Sequence, residues 1–286
     1  GGRSGGPPAM PRKWPGTGVC GPGLEDADVT RHPYPLPDAG THVVALSGGY
    51  DSTALALRMR EVWPDLPVTY FCSPTGDELP DVVEHWDRLE CLLGQRIVKV
   101  ANGTLNGWIE KYRALPNSHM RWCTRLLKIE PCLSYLQGLD DPILYVGLRH
   151  DEDTREGIYT TEFECRFPLR EWGWNRRDVV EYVKSHGIVV PTRTDCARCY
   201  GQRLSEWYRL RRNHRAVWDE AVEQERWVAE ERGKAATFRS ASRDTWPADL
   251  ESLGLEFERR YPRGYTPQVP LFQFDEQPSG CRVCRL

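Results

Sequence analysis

Short apolar runs alternate with amphipathic stretches through residues 41–200. Runs typical of buried strands cover residues 43–46, Val68–Cys72, residues 97–100 and residues 143–146. Between and after these runs, apolar side chains recur every three or four positions, which is the period of an amphipathic helix. A regular alternation of strands and helices predicts a parallel sheet with helices on both faces. We therefore predict an α/β, Rossmann-like fold.

The same spacing predicts which residues face the core in each helix. Two helices are predicted over Leu105–Tyr112 and residues 123–136. The positions that define the other helix faces are Leu55, Met59 and Val62 in the first helix, Val83, Trp86 and Leu89 or Glu90 in the second, and Val179, Val180 and Val183 in a late one.

Composition divides the chain into three parts. Residues 1–40 are rich in Gly and Pro and show no period, so we predict loop or disorder there, beginning with the remnant of an expression tag. Residues 41–200 carry the strand–helix alternation and form the predicted α/β domain. Residues 201–286 form a C-terminal extension, in which a charged helical stretch over residues 203–232 is followed by an irregular tail.

The bulk properties are those of an ordinary globular protein. The 286 residues are 40% hydrophobic and 28% charged, with a net charge of −3. No apolar run approaches the ~20 residues of a membrane span, and no signal-peptide pattern opens the chain, so we expect a cytoplasmic protein without a membrane partner. There are ten cysteines. In a chain of this kind, cysteine pairs indicate metal or redox sites more often than disulfides.

A glycine-rich turn lies between the first predicted strand and the first predicted helix. Its residues are Ser47, Gly48, Gly49, Tyr50, Asp51 and Ser52. Glycines let the backbone turn tightly and approach a ligand closely. The free amide groups and the positive end of the helix dipole then favour an anion. We predict a phosphate-binding loop here, with an ordinary strand-to-helix turn as the alternative.

Five segments, in this order, resemble the motifs of one enzyme family. Residues 47–52 are similar to the SGGxDS pyrophosphate loop of the adenine nucleotide alpha-hydrolase superfamily. Residues 75–80 resemble a TGxExP segment, residues 121–131 a CTxxLKxxP segment, and residues 147–155 a GxRxxES/DxxR segment. Residues 167–182 resemble the helix and its entry that follow. Together they resemble the phosphoadenylylsulfate (PAPS) reductase or CysH-like family, and most closely its DndC-like members.

The resemblance implies an adenine nucleotide site. ATP would place its phosphates, with Mg²⁺, on residues 47–52 and its adenosine near Thr75, Gly76 and Glu78. The further nucleotide or anion contacts that it implies are Arg125, Lys128, Gly147, Arg149 and Arg155. The residues that it implies as catalytic are Asp51, Cys123, Lys128 and Arg149.

Arg125 and Lys128 can also be interpreted from their spacing alone. They are three positions apart in a predicted helix, which places them on one side of it. Two cations at that spacing suit a phosphate group. A solvated helix face is an equally good interpretation of the same spacing.

Cysteine spacing suggests a second chemical centre. Cys196 and Cys199 form a Cys-x-x-Cys pair where the family carries GCxxC, and Cys123 lies on the helix predicted to face the phosphates. The resemblance to DndC-like members implies a 4Fe–4S cluster on these three residues. Thiolates also bind Zn²⁺, so a zinc site that also uses Cys281 and Cys284 is an alternative, and an empty or structural site is another. The cysteines predicted to be buried or incidental are Cys20, Cys72, Cys91, Cys132 and Cys165.

One stretch of the C-terminal extension is strongly basic. Its members are Arg203, Arg209, Arg211, Arg212, His214 and Arg215, with Trp207 and Tyr208 among them. Arginine with interleaved aromatics suits contact with nucleic acid. However, Asp219, Glu220, Glu223 and Glu225 follow at helical spacing and can pair with the cations. We favour a self-paired, solvated helix over a nucleic-acid site.

Departures from the reductase pattern point towards ATP as the ligand. The chain has no Cys-Cys dipeptide and no ECGLH-like tail motif, and its phosphate loop has the intact SGGxDS form. The resemblance therefore implies an enzyme that splits ATP into AMP and pyrophosphate, adenylates an acceptor and transfers sulfur to it, with nucleic acid as one acceptor class and a cysteine desulfurase as one donor. The alternatives are a PAPS or adenylylsulfate reductase that uses thioredoxin, and a nucleotide-binding accessory of a phage, plasmid or CRISPR-associated system.

Overall fold

A computed structural model describes residues 39–152, 155 and 162–261. Within them, one fully parallel sheet has the strand order β3-β2-β1-β4-β5. Its strands are β1 (Thr41–Ala45), β2 (Val68–Cys72), β3 (Val98–Lys99), β4 (Pro142–Tyr145) and β5 (Glu164–Arg166). The predicted α/β fold with a parallel sheet is confirmed.

Helices lie between the strands and continue after the last strand along the chain. They are α1 (Tyr50–Val62), α2 (Pro80–Leu93), α3 (Leu105–Tyr112), α4 (Trp122–Thr124), α5 (Glu130–Gln137), α6 (Pro168–Glu171), α7 (Arg176–Ser185), α8 (Leu204–Asn213), α9 (Arg215–Arg232) and α10 (Leu250–Arg260). A π-helical turn, Arg125–Ile129, joins α4 to α5. Among the described residues, none of these helices is both long and apolar enough to cross a membrane.

Side chains of the sheet alternate between two buried clusters. Val44 and Tyr145 are in register on β1 and β4 and belong to the larger cluster, which includes residues of α1, α2 and α7 and of the C-terminal helices. Val43 and Leu144 are also in register and point to the other side, where Leu136 of α5 packs. Because successive residues of a strand face opposite sides, both faces of the sheet are covered, as predicted.

The predicted helix faces are largely confirmed, with one predicted core position wrong. Leu55, Met59 and Val62 are all buried on α1. On α2, however, Val83 is 40% exposed and Val82 is fully buried. Trp86, Leu89 and Glu90 are buried as predicted, so Val83 alone departs from the predicted face of α2.

Two elements were not predicted from the sequence. Strand β5 has only three residues and pairs with β4 at the edge of the sheet. Helix α10 lies in the part of the chain that was predicted to be an irregular tail. Asp249 caps it by accepting a hydrogen bond from the Ser252 backbone at 2.7 Å, and Leu250, Leu253 and Phe257 are buried.

Some sequence predictions lie outside the described residues. These are the loop or disorder predicted for residues 1–38, and the roles considered for Cys20, Cys281 and Cys284. Of the cysteines predicted to be buried or incidental, Cys72 and Cys132 are buried, Cys165 is half-buried and Cys91 is exposed.

Candidate nucleotide and thiol site

The glycine-rich turn joins the central strand β1 to α1. Gly48 has a φ of +84°, in the region that glycine adopts most readily. A Cβ added to Gly48 would lie 2.8 Å from Trp86 Nε1 and 3.4 Å from His85 Cδ2. Both side chains come from α2, so this helix forms a floor directly under the turn and only glycine fits there.

Hydrogen bonds within the turn hold its shape. The hydroxyl groups of Ser47 and Ser52 are 3.1 Å apart, and Ser52 Oγ also donates to the Gly49 carbonyl at 3.3 Å. Trp86 Nε1 donates to the Ser47 carbonyl at 3.3 Å. Tyr50 is the first residue of α1, so the turn lies at the helix N-terminus, where backbone amides and the helix dipole favour an anion.

The loop after β4 lies against the start of α1. A Cβ on Gly147 would be 3.0 Å from both the Asp51 carbonyl carbon and the Ser52 nitrogen. Arg149 Nη1 donates to Asp51 Oδ2 at 2.7 Å, and Arg149 Nε donates to Asp151 Oδ1 at 2.8 Å. Burial raises the pKa of Asp51, and the Arg149 guanidinium opposes that rise. Two of the predicted site residues, Asp51 and Arg149, are therefore in direct contact.

Arg155 occupies the far end of the same loop. Its Nη1 atom lies 2.5 Å from Glu152 Oε1. Arg170, from α6, donates to the backbone carbonyls of Glu152 and Arg155. Arg170 was not singled out in the sequence, because its partners are backbone atoms that leave no signature in residue types.

The loop after β2 closes on its own carboxylate. Glu78 Oε1 accepts hydrogen bonds from the Thr75 backbone at 2.6 Å and from Thr75 Oγ1 at 2.7 Å, and Glu78 Oε2 accepts one from the Gly76 backbone at 3.0 Å. Gly76 has a φ of +71°. Glu78 therefore fixes the conformation of this loop, and Thr75 and Gly76 are held at the carboxyl edge of the sheet.

Three cysteines and a lysine share one cavity. Cys123, Cys196 and Cys199 all line it, together with Lys128 and Thr75. Thr75 Oγ1 lies 3.3 Å from Cys196 Sγ. Burial raises the pKa of Cys123 and of Cys196, and the charge of Lys128 acts in the opposite direction on both thiols.

The donor set of this cavity suits a thiophilic metal or cluster in kind and number. Three thiols from two separate segments of the chain face one space, as a three-thiolate site requires. Within the described ranges, no three or more His, Cys, Asp or Glu side chains are already arranged to hold a metal ion. The cavity therefore has the ligands that the resemblance implies, without a preformed coordination geometry.

The structure separates Arg125 from Lys128. The Glu130 backbone amide bonds to the Arg125 carbonyl across a π-helical turn, and this wider turn changes the angular spacing on which the sequence argument relied. Arg125 is 61% exposed and pairs with Glu130 at 3.0 Å, whereas Lys128 lines the cysteine cavity. The expectation that one helix side presents both cations is therefore wrong.

The basic stretch is largely a structural element. Trp207 is completely buried and packs against Trp218 and Phe238, so it offers no face on which a base can stack. Arg215 pairs with Asp219 at 2.8 Å, one helical turn away. These contacts agree with the self-paired helix that we favoured.

Other charged residues of this stretch are either exposed or bonded to the C-terminal segments. Arg211 pairs with Glu258 of α10 at 2.7 Å, while Arg209 and Arg212 are exposed. Glu225 is buried and accepts hydrogen bonds from the Phe238 and Leu250 backbones at 2.8 and 2.7 Å. Glu225 thus joins α9 to the segments that follow it instead of pairing with arginine.

Residues 41–192, more than half of the chain, match the phosphoadenosine phosphosulfate reductase domain family. The chain belongs to this family. Members of this family are enzymes, and the matched segment contains the glycine-rich turn after β1. The matched segment ends before Cys196 and Cys199, so the Cys-x-x-Cys loop lies just beyond the part of the chain that defines membership.

A curated relative of this family member is an uncharacterised protein of Methanocaldococcus jannaschii. The two are 23% identical over 194 residues, which cover 62% of this chain and 40% of the relative. The chain therefore matches less than half the length of that protein.

Solved structures of lower similarity include three enzymes. The PAPS reductase of Candida auris in a phosphate complex is 15% identical, with a TM-score of 0.45 over 54% of this chain and 76% of that one. The NMN synthetase of Francisella tularensis is 17% identical, with a TM-score of 0.40 over 82% and 91%. The U34-tRNA thiolase of Methanococcus maripaludis, solved with its 4Fe–4S cluster, is 16% identical, with a TM-score of 0.42 over 86% and 80%.

Proposed function

We propose that this protein binds ATP on residues 47–52 and splits it into AMP and pyrophosphate, so that an acceptor becomes adenylated. The observation that carries the proposal is the intact SGGYDS turn at the N-terminus of α1, closed on one side by the Trp86 floor and on the other by Gly147. An intact glycine-rich loop at a helix N-terminus suits a triphosphate. The acceptor oxygen attacks the α-phosphorus, the bond to the bridging oxygen breaks, and pyrophosphate leaves with the electron pair.

Charged side chains around the loop support this reaction. Arg149 lies beside the loop through its contact with Asp51, and Arg155 is held nearby by Glu152. Guanidinium groups offer paired donors that match phosphate oxygens, and they stabilise the charge that develops on the leaving pyrophosphate. Asp51 offers carboxylate oxygens of the kind that Mg²⁺ prefers beside nucleotide phosphates. Bound Mg²⁺ would neutralise part of the triphosphate charge.

We further propose that the adenylated acceptor receives sulfur at the cysteine cavity. Cys123, Cys196 and Cys199 would hold a 4Fe–4S cluster, or Zn²⁺ as the alternative, and such a centre supplies a site for a sulfur nucleophile. A donor protein would bring the sulfur. The nucleophile attacks the carbon that carries the adenylated oxygen, the carbon–oxygen bond breaks, and AMP leaves. Lys128 lies in the cavity where it can attract the anionic sulfur and the departing phosphate.

A sulfonucleotide reductase is the second candidate, and family membership is the observation that favours it. In that case the ligand is PAPS or adenylylsulfate, and the electrons come from a dithiol partner such as thioredoxin. The intact phosphate loop favours ATP over this candidate. The two differ in products, because only the first forms pyrophosphate.

The deciding experiment is product analysis with protein purified without oxygen. ATP and Mg²⁺ are incubated with the protein in the presence of bulk RNA, bulk DNA or neither, and AMP and pyrophosphate are quantified. We expect equal amounts of both products, lost in Ser47→Ala and Asp51→Ala and retained in the surface control Asp219→Ala. ATP that binds but stays intact with every acceptor, while a sulfonucleotide is reduced in the presence of a dithiol, would establish the second candidate instead.

Sulfur transfer is tested separately from ATP cleavage. Cys196→Ser should still form AMP and pyrophosphate but should yield no thiolated acceptor, measured by mass spectrometry of the acceptor pool. Thiolated product at the wild-type level in Cys196→Ser would refute the role of the cysteine cavity and leave the ATP reaction standing.

A further inference from the structure

The segment of residues 193–199 touches the nucleotide loops on both sides of the cysteine cavity. Thr194 Oγ1 lies 3.5 Å from the position of a Cβ on Gly49, so this segment passes beside the phosphate turn. Two residues later, Cys196 Sγ lies 3.3 Å from Thr75 Oγ1. The position of the Cys-x-x-Cys pair is thus fixed relative to the proposed ATP site by contacts across the tertiary structure.

A buried ion pair between Asp77 and Arg198 joins the cysteine segment to the loop after β2. Arg198, between the two cysteines, donates from its backbone amide to Asp77 Oδ2 at 2.8 Å and from Nε to Asp77 Oδ1 at 2.7 Å. Arg198 Nη2 lies 2.6 Å from the same Oδ1 atom, and both side chains are only 3% exposed. The Ala197 backbone also donates to the Asp77 carbonyl at 2.6 Å. Asp77 stands between Gly76 and Glu78 in the loop after β2.

The far side of the Arg198 guanidinium is also bound. Its Nη1 atom donates to Glu220 Oε1 at 3.0 Å and to Gln224 Oε1 at 3.2 Å, both from α9. Asn106 of α3 hydrogen-bonds to the same two α9 side chains. Arg198 therefore connects the cysteine segment to the loop after β2 and to the C-terminal helices at once.

A second arginine, Arg193, joins the cysteine segment to α8. Arg193 Nη2 donates to the Cys196 carbonyl at 3.1 Å, and Arg193 Nη1 lies 3.2 Å from Glu206 Oε1 of α8. Arg193 therefore binds the Cys196 carbonyl, and Asp77 binds the backbone amides of the two residues that follow.

General energetics indicate what such a pair contributes. Removing two charges from water is costly, so a buried ion pair is often no more stabilising than apolar side chains of the same size. Its hydrogen bonds are directional, and the planar guanidinium fixes the relative orientation of everything that it contacts. A buried, fully bonded Asp–Arg pair beside two thiols is therefore better explained by orientation than by stability.

We propose that Asp77 and Arg198 are positioning residues that hold Cys196 and Cys199 in the cavity that contains Cys123, in a fixed relation to the nucleotide loop. The inference extends the proposed function, since it assigns the pair no contact with substrate and makes it the link between the ATP loop and the thiols. Without the pair, the Cys-x-x-Cys segment loses its anchor on the loop after β2 while the sheet remains folded.

The test is the alkylation rate of individual thiols, measured by mass spectrometry after timed exposure of the oxygen-free protein to iodoacetamide. Asp77→Asn removes the carboxylate charge and places an amide donor against the Arg198 donors. We expect Cys196 and Cys199 to react at least roughly tenfold faster in this variant, because local opening of the segment becomes easier. Buried Cys72, on β2, is the internal reference and should stay protected.

Two further variants keep the result interpretable. Arg198→Lys retains the charge but cannot reach Asp77 and Glu220 together, so it should give the same selective increase. Asp244→Asn is the matched control, because it removes the carboxylate from another buried arginine, Arg239, in the C-terminal region. It should leave both rates at the wild-type value.

The alkylation rates distinguish a positioning role of Asp77 and Arg198 from a role in global stability. A selective increase at Cys196 and Cys199 in both site variants supports the positioning role. Unchanged rates overturn it, as does a parallel increase at Cys72, which would mean that the pair serves global stability. Because alkylation is measured without nucleotide, this result does not depend on whether the protein splits ATP. Product analysis of the same variants then tests the proposed function by itself.

Discussion

Gly147 lies so close to Asp51 that a methyl group between them would require the backbone to shift by a few tenths of an ångström. A Cβ on Gly147 would be 3.0 Å from the Asp51 carbonyl carbon and 3.1 Å from its oxygen. The loop after β4 and the first turn of α1 are thus in backbone contact. Arg149, two residues after Gly147, donates to Asp51 Oδ2 at 2.7 Å, so the same loop places its guanidinium beside the proposed phosphate turn.

Gly147→Ala should move the loop after β4, and with it Arg149, away from the start of α1. We expect the free energy of unfolding to fall by roughly 1–3 kcal/mol, as for other overpacked sites, and the affinity for ATP to fall by about tenfold as Arg149 moves away from the loop. Urea denaturation and calorimetric titration measure the two effects. The control is Gly107→Ala on exposed α3, where the nearest atom to the new Cβ is 3.4 Å away. Equal ATP affinity in the two variants would contradict the prediction.

Arg149→Gln should remove the cation that Asp51 and Asp151 share. The arginine side chain is only 10% exposed, so its loss leaves a half-buried carboxylate short of its partner, at a cost of roughly 2 kcal/mol. We also expect AMP formation to fall by at least about a hundredfold, which corresponds to losing a preorganised donor near the reacting phosphates. Arg215→Gln, which breaks an exposed helical pair, is the control and should change neither quantity.

The contact between His186 and Glu61 should make stability depend on pH. His186 Nε2 lies 2.8 Å from Glu61 Oε1, and His186 Nδ1 lies 2.8 Å from the Tyr182 carbonyl. The hydrogen bond to Glu61 is the main cause that raises the pKa of His186 above its ordinary 6.5. Burial alone would raise the pKa of Glu61, but hydrogen bonds, led by that from His186, outweigh it and lower the pKa.

The raised pKa of His186 and the lowered pKa of Glu61 determine how stability changes with pH. The raised histidine pKa contributes stability that is complete below pH 6.5 and is lost as the pH rises through the raised value. The glutamate contribution is lost as the pH falls below 4.5. Since both side chains are partly exposed, we expect the His186–Glu61 contact to contribute about 0.5 kcal/mol to the free energy of unfolding. Urea midpoints of wild type and His186→Gln should differ more at about pH 5.5 than at about pH 9, and a pH-independent difference would refute the assignment.

Glu225→Ala should loosen the junction between α9 and α10. Glu225 accepts two backbone hydrogen bonds, and its removal leaves the buried Phe238 and Leu250 amides without acceptors. We expect a loss of about 3 kcal/mol in the free energy of unfolding, since each buried, unsatisfied group is costly. Glu251→Ala, on the exposed face of α10, should lose much less. ATP affinity should be unchanged in both variants, and hydrogen exchange should locate the change at residues 233–260.

The parts of the fold that were predicted correctly rest on local patterns. The strand–turn–helix unit around Gly48 is predictable because apolar period, glycine pair and helix start follow one another within a few residues. The error at Val83 has a tertiary cause, since two adjacent valines fit the helical period and only the packing against the core selects Val82. Helix α10 was missed because its capping residue, Asp249, closely follows Trp246 and Pro247 in a stretch that was predicted to be an irregular tail.

The site was only partly predictable for a different reason. The sequence contains Cys123, Cys196 and Cys199, but nothing local indicates that they meet beside Thr75. Asp77 drew no interpretation, because its partner Arg198 lies 121 positions away. The π-helical turn also receives a contact from another part of the chain: Asn102 donates to the Leu126 carbonyl at 3.1 Å. A residue-type pattern within one helix does not reveal such a donor.

The strand order has a consequence for how the protein is made. The proposed phosphate turn follows β1, at the centre of the sheet. Gly147 and Arg149 follow β4, which pairs with β1 but comes about a hundred residues later in the chain. Helices and hairpins can form as soon as their residues leave the ribosome, whereas this pairing must wait for the whole intervening segment. A nascent chain therefore exposes the proposed nucleotide loop long before the loop after β4 can pack against it. Growing chains should acquire ATP affinity abruptly, once the β4 loop has emerged.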